Sequence, residues 1–382
     1  MDAKRNPRIV IGVGDLLGCG YYRCALPYRH LSSLGFDVLL TNRLTYPSPE
    51  LEGVDLLVLQ RQHNPNVFEI ARLVKHNGGK VLVELDDYFH DIPSNNPAKG
   101  AYTKGGDALL FLEKFMQLAD LMTVSTEYLK TMYSKFNSNI FVCPNKMDVN
   151  TFQTHNCRPR FSDEFRLGWA GSGTHHDDLM TIVQPISELM YENKNIKLIF
   201  IGQFYKNLFP FSLHNRMEHI GHTFPVEDGK SMFFSKKTVN PVVEYYQLLN
   251  TANLDAAIAP ILQVTFNRAK SYVKLIEYGA CGIPFVASSF GPYNQFIDEA
   301  DKWDRSKPVG LLADRNIEWK KQIKKLINNE ELRQELTNNN ISNIDVNHTI
   351  EHGVINWVNA LASVSILPGS EPGTYEESIV KS

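Results

Sequence analysis

FNRAKSYVKLIEYGACGIPFVASSFGPY, Phe266 to Tyr293, decides how the rest of the chain is read. A short polar turn leads into a stretch with helical periodicity over 269–280, then a Gly-Ile-Pro break and an apolar run at 285–287. This order predicts a helix followed by a buried strand. On such a helix Lys270, Lys274 and Glu277 fall at i, i+4 and i+7 and share a face near the N-terminal end, leaving Val273, Ile276 and Ala280 to face a sheet. Free N–H groups, the helix dipole and two ammonium groups favour an anion such as a diphosphate. Glu277, one turn further on, can accept hydrogen bonds from a ribose diol. The same spacing also describes a solvated helix face with a Lys274–Glu277 surface pair.

Outward from this unit, strand-like runs alternate with helical patterns along the whole chain, the signature of parallel α/β architecture. One series has strands at 8–13, 36–40, 54–59, 80–85, 121–124 and 140–143, with helices such as 107–119 and 127–136. A second has strands at 165–169, 197–201, 254–258, 284–287 and 309–312, with helices at 177–191, 241–251, 269–280 and 317–336. Between them, 144–163 loses all periodicity and carries Pro144-Asn145, Asn156 and Pro159, which marks a linker. The expected division is two doubly wound, Rossmann-like domains, 1–150 and 151–345, facing a cleft. A helix within 346–365 returns toward the first domain, and a Gly/Pro/Glu/Ser-rich tail over 366–382 is flexible. In such sheets ligands bind outside the carboxyl ends of the strands, so the loops there hold the candidates.

Composition agrees with a two-domain globular chain: 382 residues, 43% of them hydrophobic. Lys plus Arg number 39 against 42 Asp plus Glu, and the formal charge of −3 gives no global sign of a polyanionic partner. No apolar run approaches the roughly 20 residues that span a bilayer, and residues 1–8 begin charged and run into a strand, so the expectation is a soluble, unprocessed chain. Five cysteines, odd in number and without paired C-x-x-C spacing, argue against a disulfide framework or structural zinc and fit a reducing cytoplasm.

After the first strand, GVGDLLGCGYYR (Gly12–Arg23) has glycines that let the backbone approach a ligand. It does not match G-x-G-x-x-G, and Asp37 precedes the second strand where a ribose-binding acid should follow it, so a dinucleotide site is disfavoured. Gly20 and Tyr21 are candidates to lie near bound substrates and Arg23 to meet an anion; an ordinary tight strand-to-helix connection is the alternative. After the fourth strand, ELDDYFHDIP (Glu84–Pro93) clusters carboxylates with an imidazole. Adjacent Asp86 and Asp87 point to opposite sides of an extended segment, so one of them, Asp87, is expected at the cleft. Asp87 and His90 are the candidate acid–base or orienting groups, Asp86 lies on the acceptor side, and a divalent metal is not favoured because this short run fixes no ligand set.

The second domain opens with RLGWAGSGTHHDDL (Arg166–Leu179), a strand breaking into a loop whose Ser172, Gly173 and Thr174 present N–H groups and hydroxyls. His175 is a candidate ligand contact, although adjacent His175 and His176 are poorly placed for joint metal ligation. Asn267, Arg268 and Ser271 flank Lys270 and join the anion-binding candidates. Between Thr223 and Tyr246, Lys230, Lys236 and Lys237 interleave with Phe233 and Phe234, a composition that suits a polyanion, though Glu227, Asp228 and Glu244 cancel its charge.

Taken together, LDAAIAPILQVTFNRAKSYVKLIEYGACGIPFVASSFGPY (Leu254–Tyr293) and RLGWAGSGTHHDDL resemble the GT-B nucleotide-sugar glycosyltransferases, most of all the retaining family 4 class, with VSTEYL (Val124–Leu129) and PNKMDVNTF (Pro144–Phe152) in the matching order. The resemblance covers nearly the whole chain up to the tail. It implies a nucleotide-sugar, UDP-linked by preference, in the second domain, an acceptor against the first, Glu277 on the ribose, and basic groups on the diphosphate without a required cofactor. Two positions depart from the pattern. The glutamate expected eight residues before Glu277 is Ala269, and no Arg or Lys occurs between Arg166 and Lys194, where a basic pair is usual. Arg268, Lys270 or Lys274 are the candidates to replace that pair. The implied reaction transfers a hexosyl or pentosyl group to a hydroxyl of a saccharide, a small molecule or, as in bacteriophage-type members, the hydroxymethylated pyrimidines of DNA. A binding module that has lost turnover is the other reading.

Overall fold

The computed structural model describes residues 5–14, 17–148, 163–221 and 241–368. Most of the expected linker, the Lys230–Lys237 loop and most of the tail lie outside them. The first sheet contains β1 (Arg8–Gly12), β2 (Asp37–Thr41), β3 (Leu56–Gln60), β4 (Lys80–Leu85), β5 (Leu121–Val124) and β6 (Ile140–Val142). All pairings are parallel, in the order β2-β1-β3-β4-β5-β6. The second contains β7 (Phe165–Gly171), β8 (Ile196–Gly202), β9 (Met217–Ile220), β10 (Ala256–Ala259), β11 (Phe285–Ser288) and β12 (Leu311–Ala313), also parallel, in the order β12-β11-β10-β7-β8-β9. Both orders reverse direction once, between β1 and β3 and between β7 and β10. Those two switch points open crevices at the carboxyl ends of the strands.

Crossover helices cover both faces, which is why β3 and β10 are buried at every residue and read as apolar runs, broken only by Gln60 at the end of β3. After β1 a helical run is α-helical at Gly18–Gly20 (α1), π-helical at Tyr21–Ala25 and α-helical again at Leu26–Ser33 (α2). The first sheet is completed by α3 (Pro65–His76), α4 (Asp107–Leu118) and α5 (Glu127–Tyr133). The second carries α6 (His176–Met180), α7 (Val183–Glu192), α8 (Pro241–Thr251), α9 (Thr265–Arg268), α10 (Val273–Ala280), α11 (Gly291–Asp304), α12 (Asn316–Asn328) and α13 (Glu330–Asn347). The chain then crosses back. Met147 forms a parallel bridge with Thr349, α14 (Ile350–Gly353) packs on α2, and α15 (Ile355–Ala362) packs on β5 and β6. Among the described residues no helix is long and apolar enough to cross a membrane.

Three predicted helices are broken, each for a local reason. The 177–191 helix splits into α6 and α7 because Pro185 has no N–H to return to the Thr181 carbonyl. The 317–336 helix stops at Asn329, whose side chain caps α13 by accepting from the Leu332 N–H at 2.9 Å. The 269–280 helix begins only at Val273. The Ala269 carbonyl, which a continuous helix would bond to Val273, instead accepts the Thr126 hydroxyl at 3.0 Å. Lys270 therefore precedes α10 and does not share a helix face with Lys274 and Glu277. Strand β9 and helix α11 are not expected from the pattern; Pro292 occupies the first turn of α11, where its missing N–H has no partner to lose.

Candidate active site

Residues that follow four strands of the first sheet meet the segment that follows β10. The Tyr22 hydroxyl, after β1, donates to Glu277 Oε1 at 3.0 Å. Lys270 Nζ lies 3.1 Å from Asp87 Oδ1, after β4. Thr126, after β5, donates to the Ala269 carbonyl, and Asn145, after β6, donates through Nδ2 to the Ser271 hydroxyl at 2.8 Å. These contacts set the carboxyl ends of the two sheets against each other, with the β7/β10 switch point opposite the first sheet.

At that switch point Glu277 is half-buried and also accepts the Tyr245 hydroxyl on Oε2 at 3.1 Å. Burial pushes its carboxyl up to about 7, against the opposing pull of Lys274 and Tyr245. Lys274 is buried, donates to the Ala170 carbonyl at the end of β7, and stands over the Trp169 ring, 5.2 Å from its centroid. Burial drives its ammonium down, partly offset by Glu277 and Asp178. A Cβ on Gly171 would stand 2.8 Å from the Trp169 ring and 3.1 Å from Lys274 Nζ, so the lysine is locked beneath the loop and does not project from it. Above it Ser172, Gly173 and Thr174 are exposed, and the two hydroxyls are 2.9 Å apart. His175 Nδ1 is 2.7 Å from Asp178 Oδ2, and burial lowers the imidazole despite that carboxylate.

Across the cleft, Asp86 and Asp87 do not diverge as an extended segment would require. The chain bends at Asp87, and both carboxylates grip Arg61, Asp86 Oδ1 to Nε at 2.5 Å and Asp87 Oδ2 to NH2 at 2.7 Å. Arg61 follows β3 directly and holds a left-handed backbone, φ 52°, a conformation uncommon outside glycine. With Lys270 it makes a cluster of two cations and two carboxylates spanning the cleft. The nearby carboxylates, Asp87 first, raise the Lys270 ammonium above its ordinary value although burial alone would lower it.

Several candidates lie elsewhere. Arg23 is fully buried and cannot meet an anion from the cleft. It forms a fork with Glu84, Nε–Oε1 2.6 Å and NH2–Oε2 3.1 Å, while NH1 serves Asn145 Oδ1 at 2.9 Å and the Cys143 carbonyl. Tyr21 and Gly20 are buried in the adjoining helical run. His90 turns to the α4–α5 side, 3.1 Å from Glu113 and stacked on Tyr88 and Phe136, so it does not join Asp87 at the cleft. Asn267 is buried and spends its amide on Asp178 Oδ1 and the Leu262 carbonyl, both at 2.9 Å. Arg268 is exposed, with its guanidinium 5.3 Å from the centroid of Phe290. Among the described residues no three His, Cys, Asp or Glu side chains gather as metal ligands, and no metal set is assigned.

Sequence reasoning missed Tyr22, Arg61, Asp178 and Tyr245. The available signal for Arg61 is its position directly after a strand. Asp178 lies one turn beyond the Gly-Ser-Gly-Thr loop and fastens three partners, His175, the Leu262 N–H and Asn267, at the base of the site.

No family model matches the sequence, and no curated protein is significantly similar to it. Solved structures do resemble the fold. Anabaena HepE, determined with UDP and glucose, superposes with a TM-score of 0.58 at 13% identity, over 94% of this chain and 100% of its own. A glycosyltransferase from Rickettsia africae gives 0.60 at 13% identity, over 96% and 100%. S. aureus TarM, determined as a point mutant with fondaparinux, alpha-GlcNAc-glycerol and UDP, gives 0.54 at 16% identity over 80% of this chain, which spans 55% of TarM's length. The likeness is one of architecture, and the chain has the GT-B fold, two doubly wound α/β sheets facing each other across a cleft.

Proposed function

We propose that the protein is a glycosyltransferase that moves a hexosyl or pentosyl group from a nucleoside-diphosphate sugar, UDP-linked by preference, to a hydroxyl acceptor with retention of configuration. The observation that carries this reading is the placement of Glu277 and Lys270 at the β7/β10 switch point, facing the carboxyl ends of the first sheet. UDP in the HepE and TarM structures supports the choice of nucleotide. In this reading 151–345 holds the donor, 1–150 the acceptor, and 346–365 ties the second domain back to the first.

Glu277 takes the ribose diol. Lys270 meets the diphosphate, with the exposed 172–174 loop and Arg268 at its edge. As the bond to the anomeric carbon breaks, the leaving diphosphate gains charge, and a cation held at those oxygens stabilises the transition state more than the ground state. Deprotonation of the acceptor is assigned to the departing phosphate on the same face, with Asp87, still held by Arg61, as an orienting group on the acceptor side, and the reaction as proposed requires no metal. The test is thermal stabilisation of the folded chain by a panel of nucleotide-sugars and nucleoside diphosphates, followed by transfer assays on glycans, small hydroxyl compounds and hydroxymethylated DNA. Ligand at 100 times its Kd adds about 2.7 kcal/mol of stability. A shift with UDP-sugars that Glu277→Ala abolishes is expected; a folded chain that no nucleotide-sugar stabilises would overturn the reading.

A further inference from the structure

Both donor-site residues that reach the cleft are already paired with the first domain, by groups that copy the chemistry of a nucleoside diphosphate. Glu277 Oε1 receives the Tyr22 hydroxyl at 3.0 Å, as it would receive a ribose hydroxyl. Lys270 Nζ faces the Asp87 carboxylate at 3.1 Å, as it would face a phosphate oxygen. Tyr22 is almost fully buried, with its ring edge-on to Tyr21, in the π-helical turn after β1, so its hydroxyl is aimed by packing. Turns of this kind recur at functional sites. The remaining Glu277 oxygen is held by Tyr245 from its own domain, so a ribose diol that needs both oxygens competes with a phenol at each of them. A small notch at the same boundary is lined by Asn95, Asn96, Thr174, His176, Asp177 and Phe266.

We propose that Tyr22 is an affinity-determining residue for the donor. Its hydroxyl, helped by the Asp87 carboxylate, occupies the ligand positions of Glu277 and Lys270 in the donor-free protein, and the nucleotide binds by exchanging with them. This rests on Glu277 being the ribose ligand. Donor entry then unpairs the two domains at the same moment that it fills the site, and Asp87 is released from Lys270 to face the acceptor side only once the diphosphate has arrived. The exchange costs the nucleotide part of its apparent affinity.

The test is isothermal titration of UDP into the full chain and into Tyr22→Phe, Asp87→Asn and Glu277→Ala, with the ligand-free melting temperature of each recorded. Tyr22→Phe removes one oxygen and keeps the ring, so the fold is retained. Losing this hydrogen bond should tighten UDP about three- to tenfold while lowering the ligand-free melting temperature. Asp87→Asn should move both quantities the same way. A merely structural tyrosine would lower the melting temperature without tightening UDP, and unchanged or weaker binding in Tyr22→Phe, with Glu277→Ala at least tenfold weaker than the parent, would overturn the exchange while leaving the donor site in place. UDP binding that Glu277→Ala leaves intact would overturn the donor-site reading and the exchange with it.

Discussion

Replacing Arg23 by Met distinguishes a buried structural cation from an anion ligand, the role its position after β1 suggests. Arg23 has no exposed surface, and its fork with Glu84 is backed by Asn145, the Cys143 carbonyl and the Trp357 ring, 5.4 Å from the guanidinium carbon. Methionine fills most of the volume but leaves a buried carboxylate without its counter-charge, which costs roughly 3–5 kcal/mol. At about 2–4 °C per kcal/mol for a domain of this size, the melting temperature should fall by roughly 6–20 °C at pH 8. The loss also has a sign in pH. Burial already raises the Glu84 carboxyl above 4.5, with Arg23 the main opposing influence, so the variant holds a proton there at higher pH than the parent does. A carboxyl raised in the folded state contributes stability below its unfolded value and loses it as pH rises, by about 1.4 kcal/mol per unit. The deficit should therefore shrink on going from pH 8 to pH 5, and Glu84→Gln in the same chain should recover most of it. Scanning calorimetry at the two pH values checks this. A melting temperature within roughly 3 °C of the parent at pH 8, or a deficit that widens on acidification, refutes the reasoning.

Two further outcomes follow from buried groups. With Glu277 pushed up to about 7 by burial, UDP, whose ribose needs the carboxylate, should bind well above that pH and progressively less below it, by up to about tenfold per unit; titrations between pH 5.5 and 8.5 should show this limb, and Glu277→Gln should lose it. His348 is buried with both ring nitrogens unpartnered, stacked on Phe296 and edge-on to Tyr272, and burial pushes its imidazole down to about 3. A base depressed in the folded state contributes stability above its unfolded value near 6.5 and loses it as pH falls toward 3, so His348→Phe should flatten the acid limb of the stability profile and add about 1–2 kcal/mol near neutrality. Urea midpoints at pH 4.5 and 7.5 would show either this flattening or its absence.

All six strands of the first sheet and five of the second are legible in the sequence, because the central strands, buried on both faces, are largely apolar and strand ends are marked by turn residues. The alternation of strands with helices fixes the parallel α/β class, and the region after β10 is singled out as the candidate donor site by residue type alone. The sequence by itself does not determine what each charged side chain meets. Arg23 reads as available and is sealed against Glu84; Lys274 reads as a diphosphate-binding or surface cation and lies beneath Gly171; Asp86 and Asp87 read as opposed and share Arg61. The break in the predicted helix at Ala269 is likewise set by Thr126, 143 residues away in the chain. Local periodicity reports burial, which depends on a residue's own neighbours along the chain. The pairing of charges and the capping of carbonyls depend on which loops the two sheets bring to one place, and that was decided only when the carboxyl ends of both sheets closed on each other.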